Sequence, residues 1–183
     1  MKPVLVDTSS LLAYCKTNYD EFLFKRLQMT TTNVCNDEVN RQKSASDDFY
    51  KKRSCERYLD LCRDNKNPDI EYVERYKPNV ENQGEQTLEY IFEEYPDEVK
   101  YILLFDFEAI EKFENLKYEI GGDAVDTRIS LPNYAFELLR KNGEMSDDEY
   151  CKATYQMGVE EGWMARHAQK LASVSPVECD RFP

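Results

Sequence analysis

Histidine and tryptophan each occur once in the 183-residue chain, at His167 and Trp163. A lone imidazole has no second histidine for a zinc site and no matching set for a Ser-His-Asp relay, so histidine-based catalysis is not expected. Long apolar runs are also missing. The longest obvious one, Tyr101 to Phe105, falls far short of the roughly 18 to 20 residues a membrane helix needs, which excludes a span of that kind. The opening Met1-Lys2-Pro3-Val4-Leu5-Val6-Asp7 has no apolar h-region and no small-residue cleavage site, so a cytoplasmic location is expected. No cysteine among Cys15, Cys35, Cys55, Cys62, Cys151 and Cys179 stands in CxxC or other zinc-like spacing. All six are read as reduced thiols that mostly serve as small buried hydrophobes. Internal repeats and low-complexity segments are absent.

What is present is a 41% apolar chain long enough for one domain with its own core. Its charge is strongly one-sided: 24 basic against 36 acidic residues, a net of -12. That argues against nucleic-acid binding by bulk attraction. Lysine outnumbers arginine, which gives no support to a high-salt habitat as the source of the acidity. The segment from Arg41 to Lys66 runs the other way, with eight Lys/Arg against five Asp/Glu, a local net of +3. Within it Arg41, Lys43, Lys51, Lys52 and Arg53 are candidates for binding an anionic substrate, because a local basic arm attracts opposite charge even in an acidic chain. A merely solvated helix face fits the same charges.

Val4-Leu5-Val6 reads as a buried strand that stops at Asp7-Thr8-Ser9-Ser10, before Leu11-Leu12-Ala13 resumes with helical spacing. Tyr19 to Leu27 predicts a second helix, Met29 to Asn33 a strand, and Asp37 to Lys43 a helix. Asp47-Asp48 opens a long amphipathic helix with Phe49, Tyr58, Leu59, Leu61 and Cys62 as its apolar side. After the breaker Asn65-Lys66-Asn67-Pro68, Ile70 to Val73 alternates as a half-buried strand, and Lys77-Pro78-Asn79 breaks the chain again. A helix runs from Asn82 to before Pro96, and Val99 to Phe105 is the strongest strand, ending at Asp106. A helix from Ala109 to Leu116 leads into Tyr118-Glu119-Ile120 and the Gly121-Gly122 turn. Strands alternating with helices predict an α/β fold with a doubly wound parallel sheet of four to five strands flanked by helices.

Beyond Pro132 the pattern becomes helical, over Asn133 to Lys141 and about Asp147 to Leu171, the second run started by a Ser146/Glu149 capping box. The expected organisation is a body over residues 1–130, a helical extension over 131–172 packed on it, and a loosely ordered tail over 173–183. Met157, Trp163, Met164 and Leu171 read as a stripe covering the sheet or a dimer contact. The apolar sides of the two helices between Asp37 and Lys66 read mainly as core, with a groove for a partner helix as the other use.

Two strands ending at aspartates bring Asp7 and Asp106 to the carboxyl edge of the sheet, where open α/β folds bind ligands. Glu38 and Glu85 are read at helix-initial positions after the intervening strands, so all four acids are expected to face one crevice. Each alone is an ordinary N-cap or first-turn acid. Together they repel more than helix dipoles offset, since a dipole contributes about 0.3 to 1 kcal/mol per acid. A bound divalent cation removes that conflict, and all-oxygen ligands select hard ions such as Mg²⁺. Such an ion acidifies water and stabilises the leaving oxygen, which points to phosphodiester hydrolysis. Thr8 and Ser9 are placed to support the ligands from behind.

These residues resemble the PIN-domain family, and within it the VapC-like toxins of archaeal-type toxin-antitoxin pairs. Val4-Leu5-Val6-Asp7-Thr8-Ser9-Ser10-Leu11-Leu12 is similar to the family's opening, Glu38 to its second acid, Gly84-Glu85 to its helix-opening third, and Leu104-Phe105-Asp106-Phe107-Glu108 to its fourth. Phe105 stands where a small hydroxyl is common, and Glu108 is an additional candidate ligand beside Asp106. The resemblance implies a Mg²⁺- or Mn²⁺-dependent endoribonuclease acting on RNA through Asp7, Glu38, Glu85 and Asp106, often a homodimer, and inhibited by an antitoxin protein. The alternative is a catalytically inactive scaffold of the same fold that binds protein or RNA. A phosphoacceptor receiver domain would need an acidic pair at the first strand and a lysine ending a later one, and neither is evident.

Overall fold

Every side chain of strand β1 (Val4–Val6) is buried, as a run of β-branched and aliphatic residues with neighbours on both faces demands. The computed structural model describes residues 4–74, 83–158 and 179. Around β1 lie four more strands, β2 (Met29–Thr32), β3 (Asp69–Glu71), β4 (Tyr101–Leu103) and β5 (Arg128–Ser130). Every pairing is parallel, in the order β3-β2-β1-β4-β5. Among the described residues eight α-helices connect and cover them: α1 (Thr8–Tyr14), α2 (Asp20–Leu27), α3 (Asn33–Ala45), α4 (Phe49–Arg63), α5 (Gln83–Glu94), α6 (Phe107–Ile120), α7 (Tyr134–Lys141) and α8 (Asp147–Gly158).

Successive side chains of a strand point to opposite faces, and the core divides accordingly. Val4, Val6, Leu103 and Phe105 join a cluster with Leu11, Phe24, Tyr58, Phe136 and Tyr150. Leu5, Ile102 and Leu104 join the other, with Leu88, Phe92 and Phe113. Helices α7 and α8 belong to the first face. The Tyr14 hydroxyl donates to the Pro132 carbonyl at 2.8 Å, and its ring meets Phe136 edge-on. Edge strand β3 is exposed throughout, and its Asp69 and Glu71 charges discourage pairing with another sheet.

The expected α/β architecture is therefore present, with differences of detail. Helix α3 starts at Asn33 rather than Asp37, because Thr32 ends β2 and accepts from the Cys35 amide at 3.1 Å as N-cap. Helix α6 continues through Tyr118-Glu119-Ile120. Strand β5 was not anticipated: only Ile129 of its three residues is buried, too little apolar pattern to read. The Ser146 cap forms as expected, with Glu149 accepting from the Ser146 amide at 2.8 Å. Cys151 and Cys179 are joined in a disulfide, which corrects the reading of six reduced thiols; Cys15, Cys35, Cys55 and Cys62 are free. The break at Lys77-Pro78-Asn79, His167, the Trp163, Met164 and Leu171 part of the stripe, and the tail other than Cys179 lie outside the described residues.

Candidate functional site

Strand order reverses direction about β1, which has β2 on one side and β4 on the other. A crevice opens at the carboxyl ends of such strands. Asp7 follows β1 directly and caps α1, its Oδ1 accepting from the Ser10 amide at 2.8 Å. Ser10 in turn donates its hydroxyl to the Leu103 carbonyl of β4 at 3.0 Å, fastening the first turn of α1 to the neighbouring strand. Asp106 comes three residues after β4, beyond Leu104 and Phe105, and caps α6 by accepting from the Glu108 amide at 2.9 Å. Both aspartates thus cap the helix that follows their strand at the carboxyl edge, but Val6 is level with Leu103, so Asp106 stands two residues farther out than Asp7; it is exposed where Asp7 is half-buried.

Glu38 lies deeper in its helix than expected, in the second turn of α3 rather than at its start. From there its carboxylate spans two elements. Oε2 accepts from the Thr8 hydroxyl at 2.5 Å, and Oε1 accepts from the Gly84 amide in the first turn of α5 at 2.9 Å. The approach to α5 is so close that a Cβ on residue 84 would lie 2.7 Å from Glu38 Oε2 and 2.9 Å from Cys35 Sγ. Any larger residue there must displace the Glu38 carboxylate or the Cys35 thiol, a matter of space rather than of backbone angle. Beneath this contact the Thr32 and Thr87 hydroxyls meet at 2.8 Å, tying the end of β2 to α5.

Burial raises the Asp7 carboxyl from 3.8 to about 6; hydrogen bonds from Ser10 and the Phe105 amide oppose the rise and the Glu38 charge adds to it. Among the described residues no lysine or arginine pairs with Asp7, Glu38 or Asp106. Glu85 is different. Lys112 of α6 donates to it at 2.8 Å and also pairs with Glu89, one turn along α5. Burial raises the Glu89 carboxyl, and the two glutamates together raise Lys112 against its own desolvation.

The structure therefore associates Asp7 with Glu38, sets Asp106 at the same edge, and holds Glu85 in an ion pair. Among the described residues no three acidic, histidine or cysteine side chains gather closely enough to hold a metal ion. Glu108 lines an open groove of about 490 Å³ between α5 and α6, with Glu89, Glu93, Glu111, Lys112 and Glu119. Thr8 supports Glu38 as described, while Ser9 is exposed and Thr8 buried. Arg41 and Lys43 lie on α3, and Lys51, Lys52 and Arg53 on the first turns of α4.

An all-oxygen donor set with one carboxyl raised by burial and no cationic partner fits a hard divalent ion in kind. Sequence reasoning missed Ser10, Glu89 and Lys112. Ser10 was within reach, because it stands at the third position after an N-cap aspartate. Lys112 was not, because nothing local says that α6 lies beside α5.

The family model described as halobacterial PIN domain matches residues 1–182. No curated protein and no solved structure matches the chain. PIN domains are generally nucleases, and they typically use divalent metal ions. With its parallel five-stranded sheet, its ordered acids and a match over nearly its whole length, the chain belongs to the halobacterial PIN domain family.

Proposed function

We propose that this protein is a Mg²⁺- or Mn²⁺-dependent endoribonuclease that hydrolyses RNA phosphodiester bonds. Asp7, Glu38, Glu85 and Asp106 are its metal-holding and catalytic acids, and Glu108 is an additional ligand. The observation that carries the reading is geometric: Asp7 caps α1 at the carboxyl edge, the next residue, Thr8, donates to Glu38, and no cation pairs with either acid among the described residues. A divalent ion, when bound, supplies positive charge at the scissile phosphate and acidifies water. The protein's own part is to fix the acids: Ser10 holds Asp7, while Thr8 and Gly84 hold Glu38. Ser9 supports the same edge, and Arg41, Lys43, Lys51, Lys52 and Arg53 bind the RNA backbone.

The test is Asp7→Asn, which keeps the helix cap because asparagine caps as well as aspartate. Metal-dependent cleavage of a labelled RNA is expected to vanish while circular dichroism stays unchanged. Full activity in the variant rejects the reading.

The finer biology follows from the VapC-like resemblance: a homodimer, a cytoplasmic location, and an antitoxin protein whose segment covers the cleft. Residues 1–130 are then the nuclease body and 131–172 a helical extension. The Cys151–Cys179 bond is uncommon for a reducing cytoplasm. Counting free thiols in protein taken directly from its cells therefore tests the location.

A second reading, a catalytically inactive scaffold that binds protein or RNA, is favoured by the Lys112 pairing of Glu85. Titration with Mn²⁺ separates the two, since a scaffold needs no metal affinity.

A further inference from the structure

The basic segment divides sharply by the company its charges keep. Toward its far end, Arg57 grips buried Asp20 through two hydrogen bonds of 2.6 and 2.9 Å, Arg63 pairs with Asp60, and Lys66 pairs with Glu21 at 3.0 Å. Lys43 reaches Glu56 at 3.7 Å. The other four cations, Arg41, Lys51, Lys52 and Arg53, have no ion-pair partner among the described residues. All four sit around the junction where α3 ends and α4 begins, with Asp47 and Asp48 as the only acids of the connection. Asp48 is engaged as the α4 cap, accepting from the Lys51 amide at 3.0 Å.

At that same junction two aromatic rings face solvent. Phe49 is 68% exposed and Tyr50 40%, and their centroids lie 5.6 Å apart, edge to face. Phe49, expected on the apolar side of this helix, faces solvent instead. From Glu38 to the end of α3 the helix rises about 10 Å, and the two rings open α4 directly after the short connection that follows.

From this juxtaposition we infer that Phe49 and Tyr50 form a stacking platform for the bases of single-stranded RNA, with Arg41, Lys51, Lys52 and Arg53 holding the backbone beside it. The ligand class rests on the nuclease reading. Charge complementarity selects a polyanion in a chain that is otherwise acidic, and exposed rings select unpaired bases over a duplex, whose bases are stacked on each other. The arrangement also answers the net charge of -12. Phosphate contacts weaken steeply with salt, whereas base stacking does not depend on counterion release, so the rings carry the share of binding that salt leaves behind.

The test measures anisotropy of a short fluorescent mixed-sequence RNA with the full chain in EDTA, so that no cleavage intervenes. Phe49→Ala with Tyr50→Ala is expected to weaken single-strand binding about tenfold, at low and at high salt alike. Lys51→Gln with Lys52→Gln and Arg53→Gln is expected to weaken it at low salt only, because at about 1 M salt charges are screened beyond about 3 Å. Phe49→Trp restores binding and Phe49→Leu does not.

The inference is overturned by unchanged binding in the alanine pair, by a duplex bound as tightly as the single strand, or by no RNA binding at all. It is also overturned if light scattering shows that the rings join two copies of the chain and leave RNA affinity untouched. Ring-dependent binding without cleavage in any divalent metal would keep the platform and remove the nuclease. Cleavage with no ring dependence would do the opposite.

Discussion

Thr8 donates its hydroxyl proton to Glu38 across 2.5 Å, joining the residue that follows Asp7 to the second turn of α3. The bond orients the one glutamate of the site that also reaches α5. Thr8→Val keeps the shape and removes the donor. It is expected to lower metal affinity or cleavage about tenfold to a hundredfold, as loss of an orienting partner typically does. Thr8→Ser is expected to stay near wild type. Equal activity in the valine and serine variants would show that Glu38 needs no orientation from this side.

Gly84→Ala separates activity from stability. The new methyl would overlap Glu38 Oε2 and Cys35 Sγ, and overpacking of this kind costs about 1 to 3 kcal/mol. Alanine regains about 1 kcal/mol of that through its higher helix propensity in α5. The expected outcome is a small fall in the denaturation midpoint with a disproportionate loss of Mn²⁺ affinity, because the displaced group is the Glu38 carboxylate. A variant that binds metal normally would show that this carboxylate is not a ligand.

Asp7 makes stability depend on pH. Its folded value, about 6, lies above the ordinary 3.8 because burial opposes the charge. Below pH 3.8 the carboxyl is protonated whether the chain is folded or not, and its full contribution is present. As pH rises through about 6 that contribution is lost, up to about 3 kcal/mol, less whatever residual water access returns. Asp7→Asn is therefore expected to melt higher than wild type at pH 7 and level with it at pH 4. Adding Mn²⁺ at pH 7 is expected to raise the wild-type melting temperature and leave the variant's unchanged. A variant that melts level with wild type at pH 7 as well as at pH 4 would mean that burial does not strain this acid.

How much of this was legible follows from how local each feature is. Val4 to Val6 ending at Asp7 could be read because three buried residues and a capping aspartate are contiguous signals. The position of Glu38 could not be read closely, since the threonine-rich stretch runs as strand to Thr32 and that residue then caps a helix four residues earlier than expected. β5 is short and carries one buried side chain, so tertiary pairing with β4 makes it a strand. The Cys151–Cys179 pair has no motif in its spacing.

Lys112 stands between the two readings of the site. It crosses from α6 to α5, and with both Glu85 and Glu89 against it the ammonium is raised despite desolvation. While that contact holds, Glu85 answers to a lysine and not to a metal. Lys112→Gln keeps most of the side-chain length and removes the charge. If Glu85 belongs to the metal site, releasing it strengthens Mn²⁺ binding severalfold by calorimetry and shifts cleavage to lower metal concentration. The second glutamate, Glu89, already raised by burial, loses its counter-charge and is pushed further toward the protonated form. Weaker metal binding in the variant would assign Lys112 a supporting place in the site. Unchanged binding would leave the Glu85–Lys112–Glu89 contact as a strut between two helices and confine the metal to Asp7, Glu38 and Asp106.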